Sequence, residues 1–200
     1  MRAPVRPCVG RRLCTLSPRA LRDASARLVG SAIDGGLRRR ADLRPVPSHR
    51  VTTLTAQDPE FESRVRASFE KQRFMATIGA RLARVVPGEV DIELSMRDDL
   101  VQQHGFLHAG VLASAADSAC GYAALSLMPP GAAVLSIEFK INMLAPAAGD
   151  RIVARGRVIR AGRTVTVCWG EVTSYSTEGE KSVATMVATM MTVRDRGLAD

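Results

Sequence analysis

Ala109-Gly110-Val111-Leu112-Ala113-Ser114-Ala115-Ala116-Asp117-Ser118-Ala119-Cys120-Gly121-Tyr122-Ala123-Ala124-Leu125-Ser126-Leu127-Met128 decides the architecture. Small or apolar residues lie all round this stretch. A helix of that composition is enclosed on most sides, since no broad face suits water. Pro129-Pro130-Gly131 stops it. Ser114, Asp117, Ser118 and Ser126 interrupt it, and no apolar run in the chain is long enough to cross a bilayer.

What encloses the helix is read from its flanks. Downstream, Val134–Leu144, Arg151–Arg160, Thr164–Ser176 and Ser182–Val193 are strand candidates. They are separated by the turn chemistry of Pro146 to Gly149-Asp150, Ala161-Gly162-Arg163 and Glu178-Gly179-Glu180. In the first of them Ile137, Phe139, Ile141 and Met143 are expected on one face, with Ser136, Glu138, Lys140 and Asn142 on the other. Upstream, Pro87-Gly88 reads as a hairpin turn between Ala80–Val86 and Glu89–Met96. Val90, Ile92, Leu94 and Met96 alternate with polar residues there, as in a half-buried strand. Before the hairpin, Asp58-Pro59-Glu60 reads as an N-cap with Pro in the first turn. A helix follows with Phe61, Val65, Ser68, Phe69 and Gln72 down one side, ending before Ile78-Gly79. A long antiparallel sheet with one helix to cover is expected to curl around it. The fold class is therefore α+β, over residues 58–195.

Charge is unevenly placed. The chain carries a net +8, yet residues 1–50 hold 12 arginines against three acids, leaving 16 bases and 17 acids for the remainder. The domain itself has no electrostatic footprint for nucleic acid. Residues 1–57 form a basic extension, rich in Arg and Pro, expected to be disordered apart from a short helix over Pro18–Val29. An organelle transit peptide, an electrostatic arm and an over-extended gene start each account for it; the last is favoured, because the domain is complete without it. Only 4% of residues are aromatic against 46% apolar, so the core is aliphatic. The four cysteines, Cys8, Cys14, Cys120 and Cys168, show neither a CxxC pair nor metal-ligand spacing with histidine. Free thiols in apolar runs suggest a reducing compartment, and cytoplasmic location is expected. Neither a metal nor another cofactor is expected.

Asp117 does not fit a purely structural helix. A carboxylate in low dielectric is costly unless it is paired, protonated or used. Positions three and four residues either side hold Ala113, Ser114, Cys120 and Gly121, none of them basic. Two readings stand at this point: a wet stripe of Ser114, Asp117, Ser118 and Gly121, or a reactive acid. Just upstream, His104-Gly105-Phe106-Leu107-His108-Ala109-Gly110 leads into the helix. The Ala109 and Gly110 amides fall in its first, unpaired turn, where the helix dipole also favours a developing oxyanion. His104 and His108 are read as hydrogen-bonding loop residues rather than a metal pair. Arg160 and Arg163, flanking Gly162, either meet the phosphates of an anionic ligand or are simply solvated.

The stretch Gln102–Gly121 resembles the N-x-x-G-x-x-H-G-G-x-x-x-x-x-x-D-x-x-x-G signature of hotdog thioesterases, the PaaI-type and hydroxybenzoyl-CoA thioesterase-like group. Ser136 to Pro146, Gly149-Asp150 and Val158 to Thr164 resemble the segments that follow in that family. The match spans about Phe74 to Val193. It implies a hotdog fold, an antiparallel β-sheet wrapped around a central α-helix. It also implies an acyl-CoA substrate, hydrolysed to a free acid and coenzyme A at sites shared between subunits of a homodimer or homotetramer. Nucleic acid and membrane are not among the partners it implies. By resemblance Asp117 is the catalytic carboxylate, Ala109 the residue whose N–H polarises the thioester carbonyl, Gln102 the positioning amide, and Ser136 the residue orienting water. His108, Arg160 and Arg163 are candidates for binding the substrate, the two arginines through the phosphates of coenzyme A. Ala109 stands where the family has Gly, and Gln102 where many members have Asn. Those departures motivate a second reading, a non-catalytic acyl-CoA sensor on the same fold.

Overall fold

The structure is a computed structural model and describes residues 54–194 and 197–198. The expectations for the basic extension up to residue 53, including a helix over Pro18–Val29, lie outside the described residues.

The first helical segment is not continuous. Helix α1 runs Phe61–Glu70 and α2 runs Arg73–Ile78, separated by Lys71 and by Gln72, whose ψ of 91° is extended. An unbroken helix would carry Gln72 and Ala76 toward the core behind Val65 and Phe69. The break rephases the chain so that Met75 and Ile78 are buried instead, each 3% exposed. At the start, Asp58 Oδ1 accepts from the Glu60 N–H at 2.9 Å, but Glu60 rather than Asp58 occupies the cap position. The helix therefore begins two residues later than Pro59 suggested.

Strands β1 (Arg81–Val86) and β2 (Glu89–Ser95) form the expected hairpin. Gly88 between them has φ +78°, a conformation open to glycine at little cost. Val90, Ile92 and Leu94 are buried, as their alternation predicts. Helix α3 (Ala109–Leu125) follows, ending three residues before the expected Met128. Then come β3 (Ala133–Met143), β4 (Arg151–Ala161), β5 (Val165–Ser176) and β6 (Gly179–Val193). All six strands form one antiparallel sheet in the order β1-β2-β4-β5-β6-β3. Thus β3, although it follows α3 in sequence, pairs with β6 at an edge of the sheet.

The sheet holds α3 against β4, β2 and β5. Close approach requires small residues on both sides. A Cβ on Gly156 of β4 would come within 2.3 Å of the Ala119 backbone, and one on Gly170 of β5 within 3.1 Å of Cys120 Sγ. Ala115, Ala116, Ala119 and Cys120 fill the contact and are fully buried. Burial pushes the Cys168 thiol up to about 12, and its Sγ lies 3.5 Å from the Cys120 carbonyl oxygen. These are packing cysteines rather than reactive ones.

A partly buried arginine closes the far end of α3. Arg64 Nη2 donates to the carbonyls of Leu125 (3.1 Å) and Met128 (2.8 Å), and Nη1 to that of Pro129 (2.6 Å). Its Nε faces Asp58 Oδ2 at 3.3 Å. The last helical carbonyl and two carbonyls of the turn after it thereby accept charge-assisted bonds.

Strand β3 departs from its expected pattern in a way that reaches the site. Its pairing with β6 shifts register between Ser136 and Glu138, leaving Ile137 in a bulge. A bulge inserts one residue and reverses the alternation beyond it. Ser136 pairs with buried Met190, while Phe139 pairs with buried Ala188. Ser136 therefore shares the inner face with Phe139, Ile141 and Met143 instead of opposing them.

Candidate active site

Asp117 sits two turns into α3 and is half-buried. The bulge brings Ser136 Oγ to donate to Asp117 Oδ1 at 2.8 Å. The same hydroxyl lies 3.4 Å from Met190 Sδ, against the strand that sets its register. Burial pushes the Asp117 carboxyl upward from its ordinary value, and the Ser136 hydrogen bond pulls the other way. No basic side chain neutralises it: among the described residues its hydrogen-bond partner is a neutral hydroxyl. A carboxylate so placed is a stronger base than one in water, while remaining reachable from a cleft of about 100 Å³.

That cleft is lined by Ser68, Gln72, Ser118, Gly121, Tyr122 and Val134 as well as Asp117 and Ser136. Sequence reading placed Ser68 and Gln72 on the helix face but did not join them to Asp117. The signal that would have done so is the break at Gln72.

The expected electrophile-polarising turn is present but stands elsewhere. Gln102, Ala109, Phe106 and Leu112 line a second cleft of about 420 Å³ with Met143 to Ala147. Asp117 does not line it. Within a single chain the acid and the amide turn thus open into different spaces.

Ala109 is the first residue of α3, and His108 ahead of it has φ −62° and ψ 137°. The right-handed helical conformation at 109 suits Ala as well as Gly. Among the described residues the Ala109 N–H meets no acceptor. Gly110 differs: its N–H donates to His108 Nδ1 at 2.9 Å. His108 is thus the N-cap of the helix, a role more often taken by Ser, Thr, Asp or Asn. The bond requires His108 Nδ1 to be unprotonated. Of the two expected oxyanion donors, one is open and one is engaged.

Gln102 is also partly engaged. Its Oε1 accepts from the His104 N–H at 2.6 Å, and its main chain bonds to Phe106 and Gly105 at 2.8 and 2.9 Å. The carboxamide oxygen is held in a tight turn, and the residue borders the second cleft. Arg160 is exposed on the outer side of β4, whereas Arg163 lies in the β4–β5 turn. Arg163 borders a third cleft with Arg194 and Thr166, which neither Asp117 nor Ala109 lines. Among the described residues no cluster of three or more His, Cys, Asp or Glu side chains could hold a metal ion. No helix there is long and apolar enough to cross a membrane.

Residues 104–180 match the family model of the Thioesterase superfamily. Agreement is broader with a thioesterase family protein from Silicibacter pomeroyi. Its crystal structure matches with a TM-score of 0.66 at 46% identity, covering 67% of this chain and 98% of that one. The chain belongs to the thioesterase superfamily.

Its class of chemistry is thioester hydrolysis, and its sheet around a central helix is the hotdog architecture that the sequence resemblance implies. Among other relatives is a 1,4-dihydroxy-2-naphthoyl-CoA hydrolase from Listeria monocytogenes, 28% identical over 91 residues, 46% of this chain and 74% of that protein. A candidate esterase from Saccharolobus solfataricus is 30% identical over 90 residues, 45% of this chain. The chain spans 64% of that protein's length, less than two thirds.

Proposed function

We propose that this thioesterase hydrolyses an acyl-CoA thioester to a carboxylic acid and coenzyme A, with Asp117 as the base. The observation that carries the reading is the half-buried Asp117 carboxylate, anchored on one oxygen by Ser136 and facing a cleft. Its raised proton affinity suits removal of a proton from water. The water oxygen bonds to the thioester carbon, and negative charge builds on the carbonyl oxygen. The Ala109 N–H, at the positive end of α3, stabilises that charge, with the Gln102 amide positioning the carbonyl. The C–S bond then breaks, and the departing thiolate takes its proton from Asp117.

The two half-sites open into different clefts of one chain, so the complete site is assembled from two copies. The edge strand β3 supplies the means. It presents an unpaired edge together with exposed Leu135, Ile137, Phe139, Met143 and Leu144, each between 44 and 55% exposed. Long apolar edges of this kind are templates for strand pairing. A second copy paired there covers the apolar side chains and brings its amide turn toward Asp117. To Arg160 and Arg163, which are exposed, we assign contact with the phosphates of coenzyme A. His108 serves the site by capping α3 rather than by touching substrate.

The test is thiol release from a panel of CoA esters by the full chain and by Asp117→Asn. Release by the wild type that is lost in the variant supports the reading. Tight retention of acyl-CoA without release would instead support the sensor.

A further inference from the structure

The third cleft, away from both half-sites, is built of donors. Arg163 of the β4–β5 turn and Arg194, just past β6, border it together with Thr166 and Thr192. Among the described residues neither arginine has an ion-pair or hydrogen-bond partner, and no acid lines the cleft. Thr166 is 2% exposed, and its hydroxyl meets no partner among the described residues. The one side-chain nitrogen or oxygen sealed there without a hydrogen bond is Arg64 Nε. The Thr166 hydroxyl therefore opens into the cleft that the residue lines.

Oxygens that could compete for these donors are engaged. At the end of α3 the Met128 and Pro129 carbonyls accept from Arg64, and the Leu127 carbonyl from Gln57 at 2.9 Å. A guanidinium already meets the negative end of the helix dipole, so that end does not repel an anion. Ala124, in the cleft wall, stands seven residues past Asp117 on the same helix. Two turns bring it to nearly the same side, about 10 Å along the axis. The other direction is unsuited to an anion. The second cleft, beside the Ala109 turn, has no charged side chain in its wall. The cleft that adjoins it at Phe106 and Pro146 carries Glu178 and Glu180 against Lys181 alone.

We propose that the third cleft binds a phosphate of the coenzyme A arm through Arg163, Arg194 and Thr166, so that the substrate lies along α3 with its nucleotide at the C-terminal end. The inference rests on the thioesterase reading above and adds the direction of the substrate and two binding residues, Arg194 and Thr166. Two guanidinium groups and a hydroxyl match the acceptor oxygens of a phosphate. Arg160, on the outer side of β4, does not line this cleft and is left to a phosphate outside it.

The experiment is titration calorimetry on the full chain with CoA, dephospho-CoA, pantetheine and adenosine 3′,5′-bisphosphate. CoA is expected to bind about tenfold or more tightly than pantetheine, the scale of a hydrogen bond to a charged group. Arg194→Ala is expected to weaken CoA by about tenfold on the same scale and Thr166→Val by less, with pantetheine unmoved. Arg194→Lys, which keeps the charge without the fork, should recover part of the loss. A melting temperature for each variant separates lost binding from lost folding. Dephospho-CoA that binds like CoA and weakens with Arg194→Ala supports the site and puts the pyrophosphate in it. Weaker dephospho-CoA binding that ignores Arg194→Ala supports it and puts the 3′-phosphate there. CoA affinity untouched by both Arg194→Ala and Thr166→Val, or a loss shared equally by pantetheine, overturns the proposal. So does Arg194-dependent binding of the bisphosphate that does not compete with CoA, since the cleft would then serve a separate phosphorylated ligand. Arg194-dependent CoA binding without thiol release from any CoA ester leaves the phosphate site standing and overturns the hydrolase reading.

Discussion

Ser136 Oγ reaches Asp117 Oδ1 at 2.8 Å because β3 bulges at Ile137. Without the extra residue, Ser136 would point to the outer face of the sheet, and the acid would keep both oxygens unanchored. One irregularity in an edge strand thus completes the surroundings of the base.

Replacing Asp117 with Ala or Asn is expected to lower turnover by about two to four decades, the contribution of a positioned acid or base. Folding is expected to survive. The proton affinity of Asp117 is raised by folding, so its ionisation opposes the folded state. Stability from this group is highest at low pH and declines as pH rises from the unfolded carboxyl value through the higher folded one. Asp117→Asn should therefore raise Tm at neutral pH while abolishing activity. A thermal melt beside a thiol-release assay checks both; a lower Tm at neutral pH would contradict the desolvation argument.

Ser136→Ala removes the one bond that restrains the proton affinity of Asp117. The acid limb of the kcat/KM profile should then move to higher pH, since activity needs the carboxylate ionised. An unmoved limb with reduced kcat would assign Ser136 to orienting water alone.

Ala109→Pro isolates the amide from the fold. Proline is favoured at the first position of a helix, and His108 already has the extended ψ that must precede it. The variant should fold, lose the N–H, and drop in kcat by about 10²- to 10³-fold, the scale of one lost oxyanion donor. Full activity would move the oxyanion role elsewhere. His108→Ala should instead act on stability, by about 1 kcal/mol for a lost cap, measurable by chemical denaturation.

A charge on the exposed edge tests assembly. Ile137→Arg should yield monomer by sedimentation and lose thiol release together, since each chain would be left with two separate half-sites. A fully active monomer would show that one chain suffices.

Much of this was legible in the sequence. The all-round small composition of Ala109 to Leu125 announced an enclosed helix, and alternation in β2 announced its buried face. What was hidden depended on relations that local pattern does not carry. Regular alternation through Ile137 concealed the bulge, because period two looks the same until the partner strand β6 fixes the register. The place of β3 beside β6 was hidden for the same reason. Gln72 looked like one more helix-face position, and only the burial of Met75 and Ile78 required a break there. That His108 engages the Gly110 amide could not be read, since a histidine cap has no strong sequence signature.

Mixing two inactive variants addresses the shared site directly. If Asp117 of one copy works with the Ala109 amide of the other, combining Asp117→Ala with Ala109→Pro restores one intact site in each mixed dimer. Thiol release should then return to about one quarter of the wild-type level after random exchange of a two-fold dimer. Activity that stays at the level of the separate variants, with mixed dimers present, would contradict the account.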